Sequence, residues 1–149
     1  VQAPADQLPD GSFDTIIERH LVWTLPDPGA TLARWREAAP VGRLVLFESA
    51  WGSAADPSEA LKARARGFLR RLRGAPAAHH GDYPSGVLAA LPYGSGITPG
   101  ELVELAESSG WPSTRIERLR DVEWAMTTTL PHPERLLGAT APYYAVVAG

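Results

Sequence analysis

Phe13-Asp14-Thr15-Ile16-Ile17-Glu18 and Arg43-Leu44-Val45-Leu46-Phe47-Glu48 are the two stretches that decide the fold. The first follows Pro9-Asp10-Gly11-Ser12, a strong turn signal, and its β-branched content suits a buried strand over 13–18. The second is a nearly continuous apolar run with a charge at each end, the pattern of a central strand over 43–48. Between them, Leu25-Pro26-Asp27-Pro28 offers Asp27 as an N-cap and Pro28 at the first helical position, where its missing N–H costs nothing. A helix to about Ala39 follows, with Leu32, Trp35 and Ala38 or Ala39 on one face and Arg34, Arg36 and Glu37 toward water. Pro40 and Gly42 end it. Strand, helix, strand, with both strands apolar on both faces, predicts a parallel sheet covered by helices and joined by a right-handed crossover. The fold class is α/β.

Outward from this unit, 58–73 reads as an amphipathic helix whose Leu61, Ala65, Phe68, Leu69 and Leu72 cover a core or a cavity, although Gly67 weakens its middle. The same segment carries Lys62, Arg64, Arg66, Arg70, Arg71 and Arg73, a basic stripe read as a solvated face. Residues 74–96, rich in proline and glycine, are expected to form a loop with one short helical turn at 87–91. Thr98-Pro99-Gly100-Glu101 is a capping box with proline at the first helical position, and Gly110 terminates that helix. Two more strands, 113–119 and 143–147, flank a polar stretch containing Trp124, Pro131 and Pro133. They are expected to pair antiparallel at the sheet edge. No internal repeat divides the chain, so one unit is the reading.

With 149 residues, 44% of them hydrophobic, and a net charge of -3, the chain can bury a continuous core. It has no cysteine, which excludes disulfides, thiolate metal sites and thiol nucleophiles. No apolar run approaches the roughly 18 residues of a membrane helix, and residues 1–9 lack the pattern of a signal peptide. A soluble, cytoplasmic domain is expected. The chain opens on Val1, and an excerpt of a longer polypeptide is expected.

Leu8-Pro9-Asp10-Gly11-Ser12-Phe13-Asp14, then Arg19-His20-Leu21-Val22-Trp23-Thr24-Leu25-Pro26-Asp27-Pro28, then Gly42-Arg43-Leu44-Val45-Leu46 together resemble the middle of a class I S-adenosylmethionine-dependent methyltransferase. In that family a segment reading LPFPDGSFD leads into the fourth strand and PGGRL into the fifth. Here the first segment is shortened and the second reads Pro40-Val41-Gly42-Arg43-Leu44. Pro142-Tyr143-Tyr144-Ala145-Val146-Val147 is similar to the family's last strand. The resemblance covers most of the chain and is weakest over 51–97. It implies a Rossmann-like open sheet in the order 3, 2, 1, 4, 5, 7, 6, of which this chain supplies strands 4 to 7. The glycine-rich loop after the first strand and the ribose-holding acid after the second are not in the sequence. Gly94-Ser95-Gly96 does not replace them, because no strand precedes it. The strand over 13–17 is then left with an open apolar edge, to be covered by a preceding segment or a protein partner.

The resemblance also implies site residues. S-adenosyl-L-methionine is the cofactor, with Ala5, Asp6, Glu18, Arg19, His20, Leu21 and Trp23 as its contacts. For Asp6 an ordinary loop charge is the competing reading. His20, at the carboxyl end of the fourth strand where open sheets place ligands, is the candidate catalytic residue, as pocket wall, proton acceptor or structural hydrogen-bonding group. Trp51, Tyr83, Leu88 and Tyr93 are candidate substrate contacts, with local packing as the alternative. His79 and His80, near Asp82, have no third histidine beside them, and no metal site is expected. The implied reaction moves a methyl group to an O, N or C nucleophile of a small molecule. It needs alignment of three atoms and exclusion of water rather than a catalytic triad. The alternative is a noncatalytic scaffold subunit that docks through the open sheet edge. A nicotinamide-dependent oxidoreductase lacks its defining loop. Neither nucleic acid nor membrane is an expected partner.

Overall fold

The computed structural model describes residues 4–5, 7–51, 57–74, 83–137 and 141–149. Strand β1 (Thr15–Arg19) leads through a single 3-10 turn (Val22–Thr24) into helix α1 (Pro28–Ala38) and strand β2 (Arg43–Ser49). Asp27 caps α1 as its side chain predicts, accepting from the Ala30 N–H at 2.9 Å. Helices α2 (Pro57–Leu72), α3 (Ser85–Ala89) and α4 (Pro99–Ser108) precede strand β3 (Arg115–Arg118). Helices α5 (Arg120–Thr129) and α6 (His132–Arg135) come before strand β4 (Tyr143–Ala148). The capping box forms in full at α4. Thr98 Oγ1 accepts from the Glu101 N–H, and Glu101 Oε2 accepts from the Thr98 N–H at 2.8 Å.

The strands form one mixed sheet in the order β1-β2-β4-β3. β1 and β2 run parallel, β4 runs antiparallel to β2, and β3 runs antiparallel to β4 at the edge. Leu44, Leu46, Val146 and Ala148 turn one sheet face toward Leu32 and Trp35 of α1 and Leu102 and Ala106 of α4. Two buried polar handles tie this core to its surroundings. Trp111 Nε1 donates to the Leu32 carbonyl at 3.0 Å, and the Tyr144 hydroxyl donates to the Ile97 carbonyl at 3.0 Å. Each fully buried leucine contributes about 1.5–3 kcal/mol relative to exposure, so this face carries most of the sheet's hold on its helices.

Three expectations change. The strand predicted as buried over 13–18 spans Thr15–Arg19, and Glu18 is its one buried residue. The reason is position: among the described residues β1 bonds only to β2, and Ile17 stands 66% exposed on that edge. The apolar stripe of α2 does not cover a core, since Leu61, Phe68 and Leu72 are exposed and the helix meets α6. In its basic stripe, Arg66 is buried and Arg73 pairs with Glu134 of α6, while Arg64 and Arg71 are exposed. The stretch around Trp124 and Pro131 is helical. Asp121 and Glu123 sit in the first turn of α5, where the dipole favours acids. Pro131 precedes α6 and Pro133 lies in its first turn, where neither removes a helical hydrogen bond. The short turn expected at 87–91 appears at Ser85–Ala89. No helix among the described residues is long and apolar enough to cross a membrane.

Two glycines make opposite predictions. A Cβ on Gly42 would lie 2.6 Å from the Phe13 carbonyl oxygen and 2.8 Å from Ala39 Cβ, in the backbone passage that brings β2 beside β1. Gly67, inside α2, has nothing within 4 Å of the equivalent point. Gly42→Ala is therefore expected to lower stability by about 2–4 kcal/mol, and Gly67→Ala to raise it by about 0.5–1 kcal/mol. Urea denaturation of the two variants checks this, and an unchanged midpoint for Gly42→Ala would contradict the close passage.

Candidate functional site

Because β1 and β2 are parallel, their carboxyl ends open at the same end of the sheet. Glu18 lies in register with Leu46, and Glu48 with Tyr144, so alternation along the strands puts Glu18, Leu46, Glu48 and Tyr144 on one face. Both glutamates are buried, Glu18 at 5% exposure and Glu48 at 1%. Immediately after β1 the chain turns through His20, whose φ of 54° lies in the left-handed region that a β-carbon disfavours. Two bonds hold it there. His20 N–H donates to the Phe47 carbonyl at 3.0 Å, and His20 Nδ1 lies 3.1 Å from Glu48 Oε2. The next residue, Leu21, donates its N–H to Glu18 Oε2 at 2.8 Å, so Glu18 anchors the 3-10 turn that carries Trp23.

Burial pushes the Glu18 carboxyl up to about 8; the Leu21 N–H opposes this, and the nearby Glu48 adds to it. Glu18 therefore keeps its proton through neutral pH. The Tyr144 hydroxyl is raised first by burial, then by Glu48, Glu101 and Glu18. In the tautomer that donates from Nδ1 to the Glu48 oxygen, Nε2 has acceptor character. The arrangement can hold an imidazole in one orientation and offer it to a proton on a bound molecule.

Aromatic rings stand at the same end. Trp23 meets Trp51 edge to face at a centroid distance of 5.0 Å and Tyr83 at 5.3 Å, and His20 meets Tyr143 edge on at 6.0 Å. Trp51 lies two residues beyond β2, as Trp23 lies just beyond β1. Of the residues read as cofactor or substrate contacts, the structure thus gathers Glu18, His20 and Leu21 around the carboxyl pair, and Trp23, Trp51 and Tyr83 in a ring cluster that joins the first group along the chain through the turn carrying Trp23. Arg19 is exposed and alternates to the other face of the sheet. Ala5 lies elsewhere: its carbonyl accepts from Trp35 Nε1 at 2.8 Å, and it lines a cleft of about 400 Å³ with Leu25, Asp27, Ala30 and Thr31. Leu25 follows the turn that holds Trp23, so cleft and carboxyl site are neighbours along the chain. Leu88 sits half-buried in α3, and its carbonyl lies where a Cβ on Gly94 would fall. Tyr93 packs against the core, its hydroxyl pushed up by burial and then by Glu101 and Glu104. Asp6, His79, His80 and Asp82 lie outside the described residues. Among the described residues no three metal-ligating side chains gather.

Glu48, Tyr143 and Tyr144 were not singled out by sequence reasoning. The available signal was the acid closing the apolar run of β2, two positions beyond the register partner of Glu18.

No family model and no curated protein matches the chain. Solved structures do. A Nostoc punctiforme protein provisionally described as an O-methyltransferase superposes with a TM-score of 0.55 over 99% of this chain and 34% of its own, at 16% identity. Phosphoethanolamine N-methyltransferase 2 of Haemonchus contortus, solved with S-adenosyl-L-methionine, gives 0.55 over 98% of this chain and 35% of its own, at 11% identity. The chain spans about a third of the length of these structures. The likeness is one of fold, and it places the mixed sheet and its helices in the Rossmann-like α/β fold of methyltransferases.

The raised Glu18 carboxyl has a signed consequence for stability. The folded state holds a proton that the unfolded chain, with a carboxyl near 4.5, releases earlier. Stability should thus fall as pH rises from about 4.5 to about 8, by an amount on the order of a few kcal/mol. In Glu18→Gln, which keeps the shape without the ionisation, the fall should flatten. Melting temperatures between about pH 5 and pH 9 check this, and parallel profiles for the two proteins would contradict a proton held by Glu18.

Proposed function

We propose that the chain forms the later part of a domain that transfers a methyl group from S-adenosyl-L-methionine to an O, N or C nucleophile of a small molecule. One observation carries the reading: Glu18, His20 and Glu48 meet at the carboxyl end of a parallel strand pair, where open α/β sheets take ligands, in a fold shared with methyltransferases. The order β1-β2-β4-β3 supports reading these strands as 4, 5, 7 and 6 of the class I arrangement. The exposed edge of β1 supports a sheet continued by a preceding glycine-rich segment or a partner chain.

The residues fit the cofactor in part. The buried oxygens Glu18 Oε1 and Glu48 Oε1 have no hydrogen-bond partner among the described residues and suit a group that donates hydrogen bonds. The cleft beside Ala5, lined largely by apolar side chains, suits a flat ring. The cofactor, when bound, supplies the electrophilic methyl group. This chain's part is to position the acceptor, exclude water with Trp23 and Trp51, and hold His20 ready to take a proton at Nε2. The docking-subunit alternative draws no support from the structures matched.

Calorimetric titration with S-adenosylhomocysteine tests the reading on this chain alone and joined to a glycine-rich half that extends the sheet past β1. Specific binding is expected only in the joined form. Micromolar binding by the isolated chain would contradict the need for a second half, and none by the joined form would contradict the cofactor. In the joined form, His20→Ala should lower the transfer rate by about tenfold or more, as loss of a proton acceptor does. His79→Ala and His80→Ala should leave it nearly unchanged. The reverse ranking would remove His20 from the site.

A further inference from the structure

The sheet has a second edge, opposite β1. Among the described residues β3 pairs only with β4, and all four of its residues, Arg115-Ile116-Glu117-Arg118, are exposed. The bond from the Leu119 N–H to the Tyr143 carbonyl, at 2.9 Å, continues the register in which Glu117 faces Ala145 and Arg115 faces Val147. Antiparallel ladders alternate between bonded and non-bonded pairs, so Arg115, Glu117 and Leu119 turn their backbone groups inward to β4. Ile116 and Arg118 therefore turn their backbone N–H and C=O outward. The Ile116 side chain beside this open backbone is 49% exposed. A segment that continues the sheet past β1 would leave this edge as it is.

We infer that β3 is a self-association edge, onto which a second copy of this chain adds its own β3 antiparallel about a two-fold axis at Ile116. A two-fold axis requires the same patch on both copies, and pairs a strand with itself only in the antiparallel sense. The outward backbone of Ile116 then exchanges a reciprocal pair of bonds with Ile116 of the second copy. In that register Arg115 stands directly opposite Glu117 of the second copy, and Glu117 opposite its Arg115. Within one strand the two side chains share a face, where Arg115 Nε already donates to Glu117 Oε1 at 2.8 Å. Pairing joins the two ion pairs into one cluster of alternating charge. Competing registers fail. A slip of one residue sets outward backbone groups against inward ones, and a slip of two sets Arg115 against Arg115 or Glu117 against Glu117. Charges on an edge ordinarily block pairing, whereas the order of charges here admits this one register. The inference is independent of the methyl-transfer reading, since β3 lies at the far side of the sheet from β1.

Sedimentation velocity of the full chain between about 10 μM and about 1 mM tests this, because so short an edge buries less than a standard interface and should hold a reversible dimer. Glu117→Arg, which sets arginines opposite one another, should weaken the dimer by about tenfold or more, and adding Arg115→Glu to it should restore the dimer. Both side chains are exposed, so the variants keep their fold. The chain has no cysteine, so a cysteine introduced at either edge reports on that edge alone. Two-fold-related bonded positions lie about 5.5 Å apart, a spacing that suits a disulfide. Under mild oxidation Ile116→Cys should therefore cross-link into dimers about tenfold faster than Ile17→Cys on the β1 edge. A monomer at every concentration, a dimer indifferent to Glu117→Arg or not restored by the double variant, or faster cross-linking of Ile17→Cys would overturn the inference.

Discussion

The parallel register of β1 against β2 is the constraint on which the site depends, because it alone brings two acids distant in sequence to one end and one face of the sheet. Glu18 aligns with Leu46, so Glu48 stands one step further along the same face. A register slip of one residue would turn Glu18 to the face where Arg19 now points. What prevents the slip is packing at the opposite end. Gly42 passes so close to Phe13 that no side chain fits, and the Arg43 N–H bonds to the Asp14 carbonyl at 2.9 Å. Helix α1 spans the interval between the strands and fills the core with Leu32 and Trp35. Sequence at the base of the sheet therefore fixes chemistry at its top.

That chemistry opposes stability. Two acids buried side by side and a non-glycine residue in the left-handed region are costs that packing elsewhere must offset. Such features concentrate at functional ends of a fold because function, rather than folding, retains them. Partial relief comes from protonation of Glu18, from the Leu21 N–H, and from the bond between His20 and Glu48. The hydrophobic centre lies on α1, α4 and the paired strands β2 and β4, so it can tolerate a polar upper rim.

Much of this was legible in the sequence because local chemistry decided it. The Asp27-Pro28 and Thr98-Pro99-Gly100-Glu101 signals set helix starts that the structure reproduces, and the apolar run at 43–48 set the central strand. Less legible was anything decided by what lies beside an element. β1 reads as a buried strand because its composition suits one, yet edge position leaves Ile17 exposed. Periodicity gave α2 an apolar face but could not say whether anything covers it. Helix α5 lacks a side-chain cap, which hid it among polar residues. In the site, His20 was visible from its place after a strand and from family likeness. Glu48 was not, since its partnership with His20 arises only from the pairing of two strands.

The central claim is that the carboxyl end of the parallel strand pair is built around a buried carboxyl pair in which Glu18 holds its proton at neutral pH. Carbon-13 NMR of the glutamate side-chain carboxyls, assigned by comparison with Glu18→Gln and titrated across the neutral range, addresses this directly. The account predicts a Glu18 midpoint near 8. A midpoint at the ordinary carboxyl value of about 4.3 would show a solvated acid at this position and contradict the account.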